Sequence, residues 1–357
     1  MGIPRRIAAG LGLWLLAFGA MAQPSAEVGR TGFSVKRPVM AAACPHGCPW
    51  GELGEFVQEA AKPLGYEVIL CRNCNRAEGP RLVAKATYPP ALTPLDAMIG
   101  TTERVDARVD FGVTESGFLN SAYLGQGAYA RDGPFRNPRL IARIEDPTYL
   151  LVAVKRSSGI SDLAEIKARR LPVRILTVGG SAAEVLDHYG LTREAVAGWG
   201  GAIGLAMGAG PDTAFDVIVA DLASPANNPE SAFWTTLSQK YDLAFLDLPE
   251  DLLDRLAREP GQQRVTARWG LLRGVDRPIR TIARSGEAIF ARDDTPEQAA
   301  YDLAKAIDRD RGQLKWFIRP YAYDPRTVWR NLDVPLHPGA ARYYREQGYM
   351  PRARAAR

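Results

Sequence analysis

Two α/β domains, each a mostly parallel sheet flanked by helices, are what this 357-residue chain predicts. Two observations carry the expectation. The chain is longer than one hydrophobic core usually serves, even with its first 22 residues set aside. Short apolar runs alternate with longer amphipathic stretches, the pattern of βαβ units, and no internal repeat is visible.

The N-terminus reads as an export signal. Arg5 and Arg6 precede an apolar stretch over 7–18, and Ala20-Met21-Ala22 fits the small-x-small cleavage rule, so residues 1–22 are expected to be removed. That run is short for a bilayer span, no Cys follows the cleavage point, and no later segment is long and apolar enough to cross a membrane. A periplasmic location is expected.

The elements follow in order. Strands are predicted at 38–43, 66–70 and 110–113, with helices at 53–64, 92–99 and 119–125. Gly133-Pro134, Pro138 and Pro147 mark a shift, with strands at 140–144 and 149–154 on either side of a domain crossing. Residues 157–163 turn into a helix capped by Ser161 or Asp162. A strand at 173–178 runs through Gly179-Gly180-Ser181 into a helix at 182–189, and 198–210 reads as a flexible Gly-rich stretch. Strands at 215–220 and 243–246 and a helix at 249–258 complete this part. The chain is expected back in the first domain within 278–290. Thr295-Pro296-Glu297 then opens a helix to about 311, combining a cap, a preset φ and a carboxylate near the helix dipole. Domain one is thus placed at 30–147 and 279–348, domain two at 148–278, and a basic disordered tail at 349–357.

The formal net charge is +5, but Arg5 and Arg6 leave with the signal and Arg352, Arg354 and Arg357 sit in the tail, so the folded body is near neutral. Nucleic acid is therefore not an expected partner, since such binding rests on clustered cationic charge. There is no G-x-S-x-G, H-E-x-x-H or P-loop, and His46, His188 and His337 are isolated in sequence. No catalysis and no cofactor are expected.

Near the C-terminus stands Val334-Pro335-Leu336-His337-Pro338-Gly339-Ala340, followed by Arg342-Tyr343-Tyr344-Arg345-Glu346-Gln347-Gly348. This ending resembles that of the TAXI family, the extracytoplasmic solute-binding components of TRAP transporters. In order along 35–348, Asp110-Phe111-Gly112-Val113, the 157–163 step and Phe215-Asp216-Val217-Ile218-Val219 are similar to family steps as well. The resemblance implies a type II periplasmic-binding-protein fold, a ligand cleft between the domains, a small organic acid or amino acid as solute, and a TRAP-type permease as partner. The protein would be a monomer. His337 and the tyrosines are read as packing residues, with Tyr343 and Tyr344 opening a short helix.

One departure from the family concerns cysteine. Cys44, Cys48, Cys71 and Cys74 all fall in the loops after strands one and two, which should crowd one edge of the cleft. Structural disulfides are the leading reading, with pairing within or between the loops both open. A metal site, built from all four thiolates or from three of them with His46, and thiol–disulfide chemistry are the alternatives. They would make the chain a periplasmic redox or metal-handling protein; a sensory binding protein is a further possibility.

The expected solute site follows from loops at the carboxyl ends of strands. Cys44, His46 and Trp50 lie in the first loop, and Arg72, Asn75 and Arg81 follow strand two, where an arginine could clamp a carboxylate. Thr114, Glu115 and Ser116 offer hydroxyls and an amine partner, and Tyr149 a wall. Gly180 and Ser181 would present a helix N-terminus to an anion, with Asp221 beside them.

Overall fold

The computed structural model describes residues 33–42, 49–74, 77–92, 94, 104–145, 147–224, 231–259, 261–284, 286–314, 322–330 and 333–351. The signal segment, the loop with Cys44, His46 and Cys48, Asn75 and most of the helix expected at 92–99 lie outside these residues.

The first lobe is built on a five-stranded sheet. Its strands are β1 (Val39–Ala41), β2 (Ile69–Cys71), β3 (Phe111–Glu115), β4 (Pro138–Ile144) and, far along the chain, β12 (Glu287–Arg292). Their order is β2-β1-β3-β12-β4, with β1, β2 and β3 parallel and β12 antiparallel to both neighbours. Successive residues alternate between two buried faces: Met40 and Ile141 join one core, Val39, Ala41 and Leu140 the other. Strands covered on both faces read as unbroken apolar runs, which is why these were legible.

Helix α1 (Pro49–Ala61), α2 (Gly79–Lys85) and α3 (Ser116–Leu124) connect the early strands.

The second lobe holds β5 (Thr148–Lys155), β6 (Arg174–Val178), β7 (Ala202–Leu205), β8 (Val217–Ala223), β9 (Leu243–Leu246), β10 (Gln262–Ala267) and β11 (Ile279–Arg284). The order is β10-β11-β5-β8-β6-β7, and β9 also pairs with β5. Five helices accompany it: α4 (Ala164–Arg169), α5 (Gly180–His188), α6 (Arg193–Gly198), α7 (Ala232–Lys240) and α8 (Glu250–Leu256). Two differences from the sequence reading stand out. The stretch 198–210 contains β7, parallel to β6, so a Gly-rich run is a sheet edge here. And β11 belongs to the second sheet, so the chain re-enters the first lobe at β12 and not at 279. An exposed-looking, arginine-bearing strand gave no clue to which sheet it would join.

Helix α9 (Glu297–Arg309) packs Ala300, Leu303, Ala304 and Ile307 into the first core, one face at helical spacing. Each large side chain so buried contributes roughly 1.5–3 kcal/mol. Its N-cap is Pro296, and the Thr295 hydroxyl is buried without a hydrogen-bond partner, so the cap expected from Thr295 does not form. At α4 the N-cap is Leu163, which offers no side-chain cap, and neither Ser161 nor Asp162 takes that place; Asp162, one residue earlier, accepts from the Ala164 N–H at 2.8 Å.

The C-terminal motif is structural. Residues 322–330 and 333–337 run along the outer edge of β4, where Glu145, Arg143 and Leu140 donate N–H groups to Ala322, Val328 and Pro335, and His337 donates to Leu140. An edge strand is thereby covered. His337 is buried and caps α10 (Pro338–Glu346), its Nδ1 accepting from the Gly339 N–H at 3.2 Å; burial pushes its pKa down. A Cβ at Gly339 would lie 2.0 Å from the Glu297 carbonyl oxygen, so only glycine lets α10 meet α9 there. Tyr344 donates to the Ile141 carbonyl at 3.0 Å, and Tyr343 to Asp308 at 2.6 Å. Tyr349 also donates to Asp308, and Met350 packs on the same core, so the expected tail begins as part of the lobe.

Two sheets, crossed by β4 to β5 and by β11 to β12, form the type II periplasmic-binding-protein fold that the resemblance implied, but both are mixed and not mostly parallel as expected, since the returning strands pair antiparallel. No described helix is long and apolar enough to cross a membrane.

Candidate functional site: the cleft between the lobes

The lobes meet beside the crossings. From lobe one, β3 ends at Glu115 and α3 begins at once, presenting Glu115, Gly117, Phe118 and Ser121, with Gly127 and Ala128 beyond. From lobe two come Glu259, Gly261, Gln262 and Arg284. They line a half-open cavity of about 180 Å³. Gly261 has φ +81°, and a Cβ there would lie 2.3 Å from the Gly117 Cα. The backbones of the two lobes therefore touch at this point, which glycine alone allows.

Arg284 ends β11 at the crossing. Its Nη1 stands 3.6 Å from Glu115 of lobe one, and its Nη2 3.9 Å from Asp221 of lobe two. Both distances exceed a hydrogen bond, and Nε is buried without a partner.

Asp221 is placed by an irregularity. Tyr149 pairs with Ala223 but Leu151 with Ala220, so two residues of β8, Asp221 and Leu222, oppose one of β5. Leu222 takes φ +71°, uncommon for a side-chain-bearing residue, as bulges near sites often require. The fully buried Trp234 fixes the bulge, its indole N–H donating to the Asp221 carbonyl at 3.0 Å. The Asp221 carboxylate then accepts the Ser181 N–H at 3.2 Å, and the Gln262 amide donates to the Ser181 hydroxyl at 2.7 Å. Burial raises the Asp221 pKa, against the pull of Arg284. Gly179, at φ +100°, leaves room for this: a Cβ there would lie 2.0 Å from the carboxylate.

The residues expected at the site are thus dispersed. Glu115 lines the cavity, and Gly180, Ser181 and Asp221 surround Arg284; a Cβ at Gly180 would be 3.9 Å from Nη2. The Ser181 N–H, expected to face a solute anion, is taken by Asp221. Thr114 and Ser116 are buried beside Glu115, and Tyr149 is a strand residue packed on the lobe-two core. Arg72 pairs with Glu55 at 2.7 Å and lines a separate groove along β2. Arg81 pairs with Glu78 and Asp132, each at 2.7 Å, donates to the Ala128 carbonyl and lies over the Tyr129 ring. It braces a cavity-lining loop and is not itself part of the lining. Trp50 sits in α1.

Cys71 and Cys74 form a disulfide, with Cα atoms 5.5 Å apart. Bridges from either of them to the first loop, and a four-thiolate metal site, do not coexist with this local pairing. Among the described residues no group of His, Cys, Asp and Glu is placed to hold a metal ion.

Arg284, Gln262 and Gly261 were missed. The signal for Arg284 was an arginine ending a strand before Ser285-Gly286 at the crossing; for the other two, glycine and glutamine between a helix and a strand carry none.

Two α/β lobes joined by two crossings, with a small cavity at their junction, define the fold class. The chain belongs to the NMT1-like family, whose sequence profile matches residues 103–348. It is similar to a TctC solute binding protein from Polaromonas, with 15% identity over 81% of this chain and 91% of that one, at a TM-score of 0.43. It is similar too to the glycine betaine and L-proline ABC transporter binding protein ProX from Borrelia burgdorferi, with 12% identity over 78% and 89%, at 0.36. Substrate binding domain 2 of GlnP from Lactococcus lactis, in an open conformation, matches at 8% identity over 79% and 92%, at 0.35.

Proposed function

We propose that this chain is an exported, monomeric binding protein of TAXI type. It captures a small organic acid or amino acid by closing its lobes and delivers it to a TRAP-type permease, without catalysis. The observation that supports this most is the cavity at the lobe junction, flanked by the Gly117–Gly261 contact and by an arginine that holds no hydrogen bond to either neighbouring carboxylate. An anion finds there a planar donor with N–H groups to spare. The export signal at 1–22 and the motif at 334–348 support the location and the transporter type.

The test is a thermal-shift and calorimetry screen of organic acids and amino acids on protein purified from the periplasm, with small-angle scattering of any complex. Micromolar binding with a fall in radius of gyration is expected. A binder whose uptake by cells is unchanged on deletion of the gene would remove the transport role. The redox alternative rests on the cysteine edge. Under it, the Cys71–Cys74 pair would cycle with a mild thiol reagent and binding would depend on that state; the proposal expects affinity to be unaffected with disulfides intact.

A further inference from the structure

Strands β10 and β11 form a hairpin that runs from the cleft to the far end of lobe two. Gln262 and Arg284, which line the cavity, are paired at one end, and Ala267 with Ile279 at the other. The 6 residues of β10 separate the two ends by roughly 17–20 Å of strand. The connection at the far end, 268–278, is held firmly. Leu272 and Val275 are buried in the lobe-two core. The Gly270 N–H donates to the Val275 carbonyl at 3.0 Å, and the Leu271 N–H to the Arg268 carbonyl at 3.2 Å. Gly274 has φ +96°, and a Cβ there would lie 2.8 Å from the Leu243 carbonyl oxygen, so this close approach needs glycine.

From this platform Trp269 projects into solvent. It is 73% exposed, more than any other large apolar side chain among the described residues. With its loop anchored in the core, the ring is displayed by the backbone and not left out by a loose segment. The charge around it is one-sided once ion pairs are set aside. Arg156 is matched by Asp242 and Asp276, Lys240 by Asp212, and Arg277 by Asp247. Arg268 and Arg273 have no carboxylate partner among the described residues; Arg273 donates to the Gln239 carbonyl, which leaves its charge uncompensated. An indole with its N–H suits the headgroup layer of a bilayer, and each arginine beside it favours an anionic lipid surface. A hairpin tip lacks the broad face that a stable protein interface buries, about 800 Å² per partner. A lipid surface needs no matching shape.

We propose that the 268–273 tip docks on an anionic lipid surface, with Trp269 in the headgroup layer between Arg268 and Arg273. The protein is then held by the end of lobe two opposite the cleft, which stays free to open and close. This contact is separate from solute capture and does not rest on it.

The experiment is flotation of the mature protein with vesicles of phosphatidylethanolamine and phosphatidylglycerol in equal parts, beside vesicles of phosphatidylcholine alone. Partition into the anionic vesicles should be ~10–30-fold stronger, and should fall to the phosphatidylcholine level in about 0.5 M NaCl. Trp269→Ala should weaken it ~10-fold, and Arg268→Gln and Arg273→Gln ~5-fold each. All three side chains are exposed, so circular dichroism should be unchanged. Leu205→Ala, which removes the exposed leucine of β7, should leave partition as in the wild type. Equal partition into both kinds of vesicle, or wild-type partition of Trp269→Ala, overturns the proposal. Binding confined to native membranes and lost when these are pretreated with protease would assign the tip to a membrane protein. A Trp269-dependent dimer in sedimentation without lipid would assign it to a second copy. Either result overturns the lipid assignment and leaves solute capture standing.

Discussion

Two buried aspartates, one in each lobe, are equally hidden from water and differently served. Asp308, on α9, accepts from Tyr343 at 2.6 Å, from Tyr349 at 3.1 Å and from Arg311 at 2.8 Å. Asp221, on the bulge of β8, has the Ser181 N–H at 3.2 Å and a guanidinium no closer than 3.9 Å. A buried carboxylate is tolerated when its lone pairs are filled. Asp308 meets that condition and locks the C-terminal helix to its lobe. Asp221 meets it only partly, and the part left over lies beside the cleft. Under-served charge at a lobe junction is what a closing binding site can use; saturated charge is what a scaffold needs.

The largest effect should come from breaking the saturated member. Asp308→Asn replaces one of the two acceptor oxygens facing the phenolic donors with a donor, and should cost roughly 2–4 kcal/mol in urea unfolding. A loss under about 1 kcal/mol would mean the tyrosine network is decorative. Asp110 is an intermediate case, buried in lobe one and accepting from Val39 at 2.9 Å and Ser34 at 3.4 Å. Burial still raises its pKa to about 6. A pKa above the unfolded value means that its contribution is fully present below about pH 4 and is lost as the pH rises through about 6. Asp110→Asn should remove that slope, on the order of 2–3 kcal/mol between pH 4 and 7, in a pH series of unfolding midpoints.

At the junction itself, Gly261→Ala should act on closure more than on folding. Its left-handed φ and the approach to Gly117 should disfavour the closed arrangement by about 1–3 kcal/mol, read as a smaller fall in radius of gyration on ligand binding with helix content unchanged. The smallest effect should be that of Asp221→Asn. The amide keeps the Ser181 hydrogen bond and removes a buried charge, so stability should stay within about 1 kcal/mol of wild type. Because burial raises the Asp221 pKa, any difference should favour the variant increasingly as the pH rises from 4 toward neutrality. A large loss in Asp221→Asn would erase the contrast with Asp308.

Much of the fold was legible because its strands are apolar on both faces: 140–144 and 149–154 were read nearly to the residue, since nothing but a buried strand explains such runs. The edge strands β7 and β10 were not, because exposed pairing partners remove the apolar signature. Of the residues expected at the site, Glu115 reaches the cavity lining and Gly180, Ser181 and Asp221 gather at Arg284. Arg72 and Arg81 were drawn away by Glu55, Glu78 and Asp132, ion pairs that sequence spacing does not disclose.

By itself the sequence determined the buried strands and most of the helices around them, the presence of two lobes and the structural C-terminal motif. These depend on apolar periodicity, on Pro and Gly at fixed φ, and on local capping, all short-range properties. Only the tertiary structure decided which sheet took β11, that a bulge would turn Asp221 onto the N-terminus of α5, and that Arg284 would come to stand between carboxylates of both lobes. Those outcomes turn on contacts between residues scores of positions apart, where register and burial, rather than local preference, set the geometry.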